Sequence, residues 1–167
     1  ETVVGDQRMM PWDMVVKLVD ECAEIGVPSM LFSWRGESTM YRVKGPDGKP
    51  RDFADALAYA REKGLDVIIT DHHKPTKKLP EAYAIVNQNR QDCRYPFKGL
   101  CGAGVAFKLA LAICKKGGYD LEKAWYHSDI VTLGIAADLV PIQDENRIIV
   151  HKGIEQMKKQ TNLGIIS

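Results

Sequence analysis

At 167 residues, with 45% hydrophobic and 27% charged side chains, the chain has the make-up of an ordinary globular protein that can bury a sizeable core, and its length predicts about one domain. No apolar stretch approaches the roughly twenty residues of a membrane span, and residues 1–27 lack a basic start followed by an apolar run, so neither a membrane segment nor an export signal is predicted. The net charge of +1 excludes little, while four scattered cysteines fit a reducing compartment and predict a cytoplasmic protein.

In chain order, apolar residues at helical spacing (Met14, Val15, Leu18, Val19, Cys22) predict a helix over Trp12 to Ile25 that Gly26 stops. Val27 to Ser33 reads as a following strand, and Trp34-Arg35-Gly36-Glu37-Ser38 as a turn. Lys44-Gly45-Pro46-Asp47-Gly48-Lys49-Pro50 is turn-rich and is the linker candidate, with a helix over Asp52 to Lys63 after it. Leu65 to Thr70 has the length and β-branched richness of a buried parallel strand, and Tyr83 to Val86 is a short second one. A polar loop over Asn87 to Leu100 follows. Gly102-Ala103-Gly104 then opens a helix over Val105 to about Lys116 that Gly117-Gly118 ends. Leu121 to Leu133 reads as helical, and Asn146 to Gln160 as an amphipathic helix or a strand-helix pair. The pattern predicts an α/β fold with a largely parallel sheet flanked by helices, its strands including Met30 to Ser33, Leu65 to Thr70 and Tyr83 to Val86.

Chemistry concentrates where the strand Leu65 to Thr70 runs out, in Asp71-His72-His73. Open α/β sheets bind ligands at such strand ends. Two imidazoles beside a carboxylate form a donor set suited to a divalent transition ion such as manganese, and such an ion activates water against a phosphodiester. Asp138 ends the apolar stretch Leu133-Gly134-Ile135-Ala136-Ala137, where a buried charge requires a partner or a metal; the alternative for it is a helix cap or turn. The glycine-rich helix start Gly102-Ala103-Gly104 reads either as a phosphate site or as glycines admitting close packing. His127 reads as a surface or interhelical residue, and His151 as solvated. Residues 1–64 carry a net charge of −2 and residues 65–167 one of +3. Lys74, Lys77, Lys78, Arg90, Arg94 and Lys98 are the charges available to a groove that tracks a phosphate backbone.

From about Gly64 to Gly164 these blocks resemble the DHH phosphoesterase superfamily, and within it the RecJ-type single-strand-specific exonucleases. The resemblance rests on Asp66-Val67-Ile68-Ile69-Thr70-Asp71-His72-His73, Leu79-Pro80-Glu81-Ala82-Tyr83-Ala84-Ile85-Val86-Asn87, Gly102-Ala103-Gly104-Val105-Ala106-Phe107-Lys108-Leu109, the Asp138 segment and Glu145-Asn146-Arg147-Ile148-Ile149-Val150. It implies that His72 and Asp138 are metal ligands, that His73 contacts the scissile phosphate and Asp71 supports the pair, and that Gly102, Ala103 and Gly104 bind phosphate. It further implies Mn2+ or Mg2+ as cofactor, single-stranded DNA as substrate degraded from 5′ to 3′, and a single-stranded-DNA-binding protein as partner. The Asp-rich loop and second-strand Asp that the superfamily carries upstream have no counterpart here, which predicts an incomplete core holding part of the active site.

About Met9 to Gly64 resembles instead the second βα unit of radical SAM enzymes, with Gly36-Glu37 in the place of the turn that holds the amino group of S-adenosylmethionine. Cys22 stands alone ahead of that turn, so the three cluster cysteines are lacking. The two resemblances divide the chain at 1–63 and 64–167 and predict a chimeric or truncated chain. The rival functions are a radical SAM fragment, an inactive nucleic-acid-binding fragment and another DHH-family phosphoesterase.

Overall fold

A computed structural model of the protein describes residues 9–27, 41–75, 79–159 and 162–166. The described residues fall into two compact units, one drawn from 9–69 and 79–84, the other from 70–75 and 85–166. The chain is an α/β protein. Among the described residues there are two sheets of two strands each. No described helix is long and apolar enough to cross a membrane.

In the first unit, helix α1 (Trp12–Glu24) puts Val15 and Val19 into a core completed by Ala56, Leu57, Ala60, Leu65 and Val67. Met14 and Leu18, which the helical spacing counted as apolar face, lie on the exposed side. The predicted strand over Val27 to Ser33 and the Gly36-Glu37 turn lie, apart from Val27, outside the described residues. The turn-rich segment is no linker. It closes an antiparallel hairpin between β1 (Arg42–Lys44) and β2 (Pro50–Asp52), with Gly48 N–H donating to Gly45 O and Arg51 ion-paired to Asp47.

Helix α2 (Phe53–Glu62) begins with a reciprocal cap in which Asp55 N–H donates to the Asp52 side chain and Asp52 N–H donates to the Asp55 side chain. Asp52→Ala therefore lowers the stability by about 1 kcal/mol, read as a lower denaturant midpoint; an unchanged midpoint would show that α2 starts without its cap. At the other end Lys63 Nζ sits 2.7 Å from Asp20 Oδ1, which also accepts from Tyr59 O–H at 2.9 Å, so α1 and α2 are tied by a charged contact beside their apolar one. The Asp20 carboxylate in turn holds the Lys63 ammonium well above the usual lysine range.

Strand β3 (Ile68–Thr70) is half the length expected, and β4 (Ala84–Val86) is its partner. Tyr83 N–H donates to Val67 O and Asp71 N–H to Val86 O, so the bonds advance in the same sense along both strands, the parallel arrangement that was expected. The strand is not buried on both faces, because Ile68 is 57% exposed while Leu65 and Val67 supply the buried side.

The second unit is mostly helical. Its helices are α3 (Gly102–Gly117), α4 (Glu122–Trp125), α5 (Ser128–Ala137), α6 (Asp144–Lys158) and the short α7 (Leu163–Ile166). The helix expected over Leu121 to Leu133 is broken at Tyr126-His127, and its second half runs on to Ala137. The core holds Cys101, Phe107, Ala124, Val131, Ile135 and Ile149, with Phe107 edge-on to Trp125. Helices α5 and α6 meet at Gly153, where a Cβ would lie 2.5 Å from Ser128 O and would also strike Thr132 Oγ1. Asn146 is fully buried in α6, and its Nδ2 donates to Gly99 O at 2.8 Å and Pro141 O at 2.9 Å. That amide ties the loop before α3 to the segment after α5. Tyr95 O–H and Lys108 Nζ both donate to Glu145, pinning the same loop to α3 and α6.

Candidate metal centre

The Asp-His-His begins one residue beyond β3, the strand end that the sequence indicated. Asp71 Oδ1 accepts from His72 N–H at 2.8 Å and His73 N–H at 3.2 Å, a turn that reverses the chain as the ladder ends. The same oxygen lies 2.7 Å from His73 Nδ1. An ionised carboxylate only accepts, so the ring nitrogen carries the proton and the His73 Nε2 edge faces away from Asp71. Burial pushes the Asp71 carboxyl up, but the hydrogen bonds from the His73 ring and from both backbone N–H groups outweigh it and hold the acid below its ordinary range. Asp71 is therefore a carboxylate at neutral pH.

His72 is held on both edges. Its Nε2 lies 2.9 Å from Asp138 Oδ2, while Gly102 faces Nδ1 so closely that a Cβ there would stand 3.3 Å away. The start of α3 can approach the ring because residue 102 is glycine. The two imidazoles sit with centroids 4.2 Å apart, and donor atoms of Asp71, His72 and His73 lie within 4.8 Å of one another.

Asp138 stands at the C-terminal cap of α5, its N–H donating to Gly134 O, as the cap alternative expects, while its carboxylate faces His72. The expectation that Asp138 is buried fails: its side chain is 42% exposed, because α5 ends at the surface and Leu139 beyond it is in the left-handed region with φ +52°. Two adjacent donors on one ion, each about 2.1 Å from it, lie about 3 Å apart, which is the separation of His72 Nε2 and Asp138 Oδ2. The donor set fits a divalent cation.

At α3 the glycines divide their labour. Gly104 N–H donates to Cys101 Sγ and its Cα packs under Leu100, whereas the amides of Gly102 and Ala103 have no acceptor among the described residues. Several of the charges nominated for a phosphate groove are spent locally. Arg90 chelates Asp92 and donates to Ile85 O, and Lys98 Nζ donates to Gln88 O and Cys93 O. Lys77 and Lys78 lie outside the described residues. His127 stacks edge-on to Tyr126 and His151 faces Glu155, both exposed as expected.

Sequence reasoning passed over Asn87 and Asn89. Asn87 Nδ2 donates to His73 O at 2.9 Å and Asn89 Nδ2 to His72 O at 2.6 Å. The signal was present as two amides one residue apart, directly after the strand that follows the motif.

A family model described as "DHH family, N-terminal domain" matches residues 47–135, more than half of the chain. The chain belongs to the DHH family. The matched span begins ahead of Gly64 and takes in α2, β3, the Asp-His-His turn, β4, α3 and most of α5. Among curated DHH-family relatives, the single-stranded-DNA-specific exonuclease RecJ of Bacillus subtilis is 47% identical over 106 residues, covering 64% of this chain and 13% of that protein. The RecJ of Haemophilus influenzae is 41% identical over 121 residues, covering 68% and 21%. The crystal structure of exonuclease RecJ bound to manganese superposes with a TM-score of 0.56 at 30% identity, over 65% of this chain and 28% of the other. The chain thus spans about one fifth or less of the length of these curated relatives.

Proposed function

We propose that this chain carries the Asp-His-His part of a RecJ-like, metal-dependent exonuclease that hydrolyses the phosphodiester bonds of single-stranded DNA from the 5′ end. The observation that carries the reading is the convergence of His72 from the end of β3 and Asp138 from the end of α5 to 2.9 Å, two ligand types brought together across 66 residues. The named function of the RecJ relatives and the manganese in the solved RecJ structure support the substrate and the ion.

His72 and Asp138 would hold Mn2+ or Mg2+, which when bound acidifies water and offsets charge on the phosphate. Asp71 keeps the His73 ring turned so that Nε2 is the nitrogen assigned to the scissile phosphate, and its own turn hydrogen bonds keep His72 and His73 on one side of the strand end. The amides of Gly102 and Ala103, at the positive end of a 16-residue helix, are assigned to a second phosphate oxygen, with Gly104 as their packed support.

The site in this reading is partial. Asp20 is committed to Lys63 and Tyr59, Asp47 to Arg51, and Asp52 and Asp55 to the cap of α2, so these carboxylates serve their own unit. The reading extends to a cytoplasmic protein, on the strength of four free cysteines, and to a single-stranded-DNA-binding protein as partner by likeness to the RecJ group. The test is Mn2+ calorimetry with an assay for nucleotide release from a 5′-labelled single strand. Weak Mn2+ binding without turnover is the expected result for the chain alone. Tight binding with turnover would overturn the partial site, and salt-sensitive strand binding with no Mn2+ binding would replace hydrolysis by a nucleic-acid-binding role.

A further inference from the structure

We infer that Asn87 and Asn89 are positioning residues that set the two histidines of the site. This rests on the reading of His72 as a metal ligand. The parallel ladder between β3 and β4 makes its last backbone bond at Asp71 N–H to Val86 O, 3.1 Å. Beyond it the pairing continues through side chains: Asn87 Nδ2 reaches His73 O and Asn89 Nδ2 reaches His72 O. The backbone N–H of Asn89 donates to Asn87 Oδ1 at 2.8 Å, so the Asn87 side chain also fixes the turn that carries Asn89. Three successive residues, 71 to 73, are thereby tied to 86, 87 and 89 while neither imidazole is used in the tie.

An amide is the chemistry this role requires. Asn87 must donate to a carbonyl and accept from an N–H at once, which a carboxylate cannot do and a hydroxyl does only with shorter reach. Asn87 is 5% exposed, so its bonds are sheltered from competing water. Fixing the two carbonyls fixes the backbone from which both rings project. With Gly102 against Nδ1 and Asp138 at Nε2, His72 then has little freedom to leave the ligand position. Outer partners that orient metal-ligating histidines commonly set affinity by 10–100-fold.

Substitution by Asp separates positioning from simple charge. A new carboxylate near a cation site would tighten Mn2+ binding if these residues mattered only through electrostatics, whereas loss of the donated hydrogen bond would weaken it. The experiment uses the whole chain labelled with 15N, reading the His72 and His73 ring nitrogens without metal and then their paramagnetic broadening on titration with Mn2+, a probe that registers weak binding. Asn89→Asp and Asn89→Ala are expected to shift both sets of ring signals and to raise the Mn2+ concentration for half-broadening by about 10–100-fold, with far-UV circular dichroism and core methyl signals unchanged. Ring signals like those of the parent, with equal or tighter Mn2+ binding, would overturn the inference. Asn87→Asp is the harsher variant because its site is buried, so the half-buried Asn89 decides if Asn87→Asp unfolds. If the parent itself shows no Mn2+ broadening, the metal reading falls and the metal-free ring signals of the Asn89 variants still decide the role of the amides.

Discussion

His72→Ala lowers the affinity for Mn2+ by more than about 100-fold, beyond what loss of an outer partner costs, and Asp138→Ala does the same. Each removes one of two donors standing 2.9 Å apart, and a single remaining protein ligand competes poorly with water for a hard divalent ion. The contrast is His73→Ala. Its Nδ1 is engaged by Asp71, so the reading gives that residue to the phosphate, and Mn2+ affinity stays within a few-fold of the parent while strand hydrolysis in any complete enzyme is lost. Mn2+ titrations of the three variants, read by the paramagnetic broadening that registers weak binding, separate the roles. Unchanged Mn2+ affinity in both His72→Ala and Asp138→Ala would sink the metal centre, and a loss in His73→Ala as large as in His72→Ala would make both imidazoles ligands.

Gly153→Ala destabilises the protein by about 3 kcal/mol, the upper end of the usual cost of overpacking. In an open helix the same change would stabilise by about 1 kcal/mol, because alanine is the better helix former, so the sign of the effect is itself informative. Here the added methyl meets the backbone oxygen of Ser128 at 2.5 Å and the side chain of Thr132, and helix α6 must move off α5. A backbone atom cannot swing aside as a side chain does. Thr132→Ala added to Gly153→Ala should restore only part of the loss, since Ser128 O remains in the way. Denaturant midpoints of the single and double variants measure this, and a Gly153→Ala protein at least as stable as the parent would contradict the close helix contact. Because α5 ends in Asp138, the variant also reports whether that contact sets the carboxylate opposite His72.

The candidate site was legible in part. Asp71, His72 and His73 stand out locally because an apolar β-branched run ends abruptly in three side chains of metal-binding type, and Asp138 because an acid interrupts an apolar stretch. What made Asp138 visible was wrong in its physical detail, since the residue is exposed at a helix end rather than buried. Asn87 and Asn89 escaped notice because asparagines after a strand read as ordinary loop chemistry, and only the positions of two carbonyls 14 and 17 residues earlier give them a role. Two of the basic residues have local partners that the sequence did not show. Arg90 and Lys98 look like phosphate contacts in a list of charges, yet their donors are taken by Asp92 and by loop carbonyls.

Helices were read more securely than strands. The spacing of Val15 and Val19 and the glycines at both ends of α3 are signals of range four residues or less, and each element lies where they place it. The hairpin across 44–50 was missed because its strands are three residues each, too short for alternation to show, and turn chemistry looks the same in a hairpin as in a linker. By itself, then, the sequence determined most of the helices, the α/β class and the membership implied by the Asp-His-His blocks, and it nominated the residues proposed as ligands, all of which follow from local spacing and residue chemistry. The tertiary structure alone decided that His72 meets Asp138, that Gly102 stands against the ring and that two asparagine amides hold the histidine backbone. Those contacts join residues far apart in the chain: the approach of Asp138 depends on how α5 packs through Ile135 and against Gly153, and the asparagine bonds depend on the end of the β3–β4 ladder, neither of which a local pattern records.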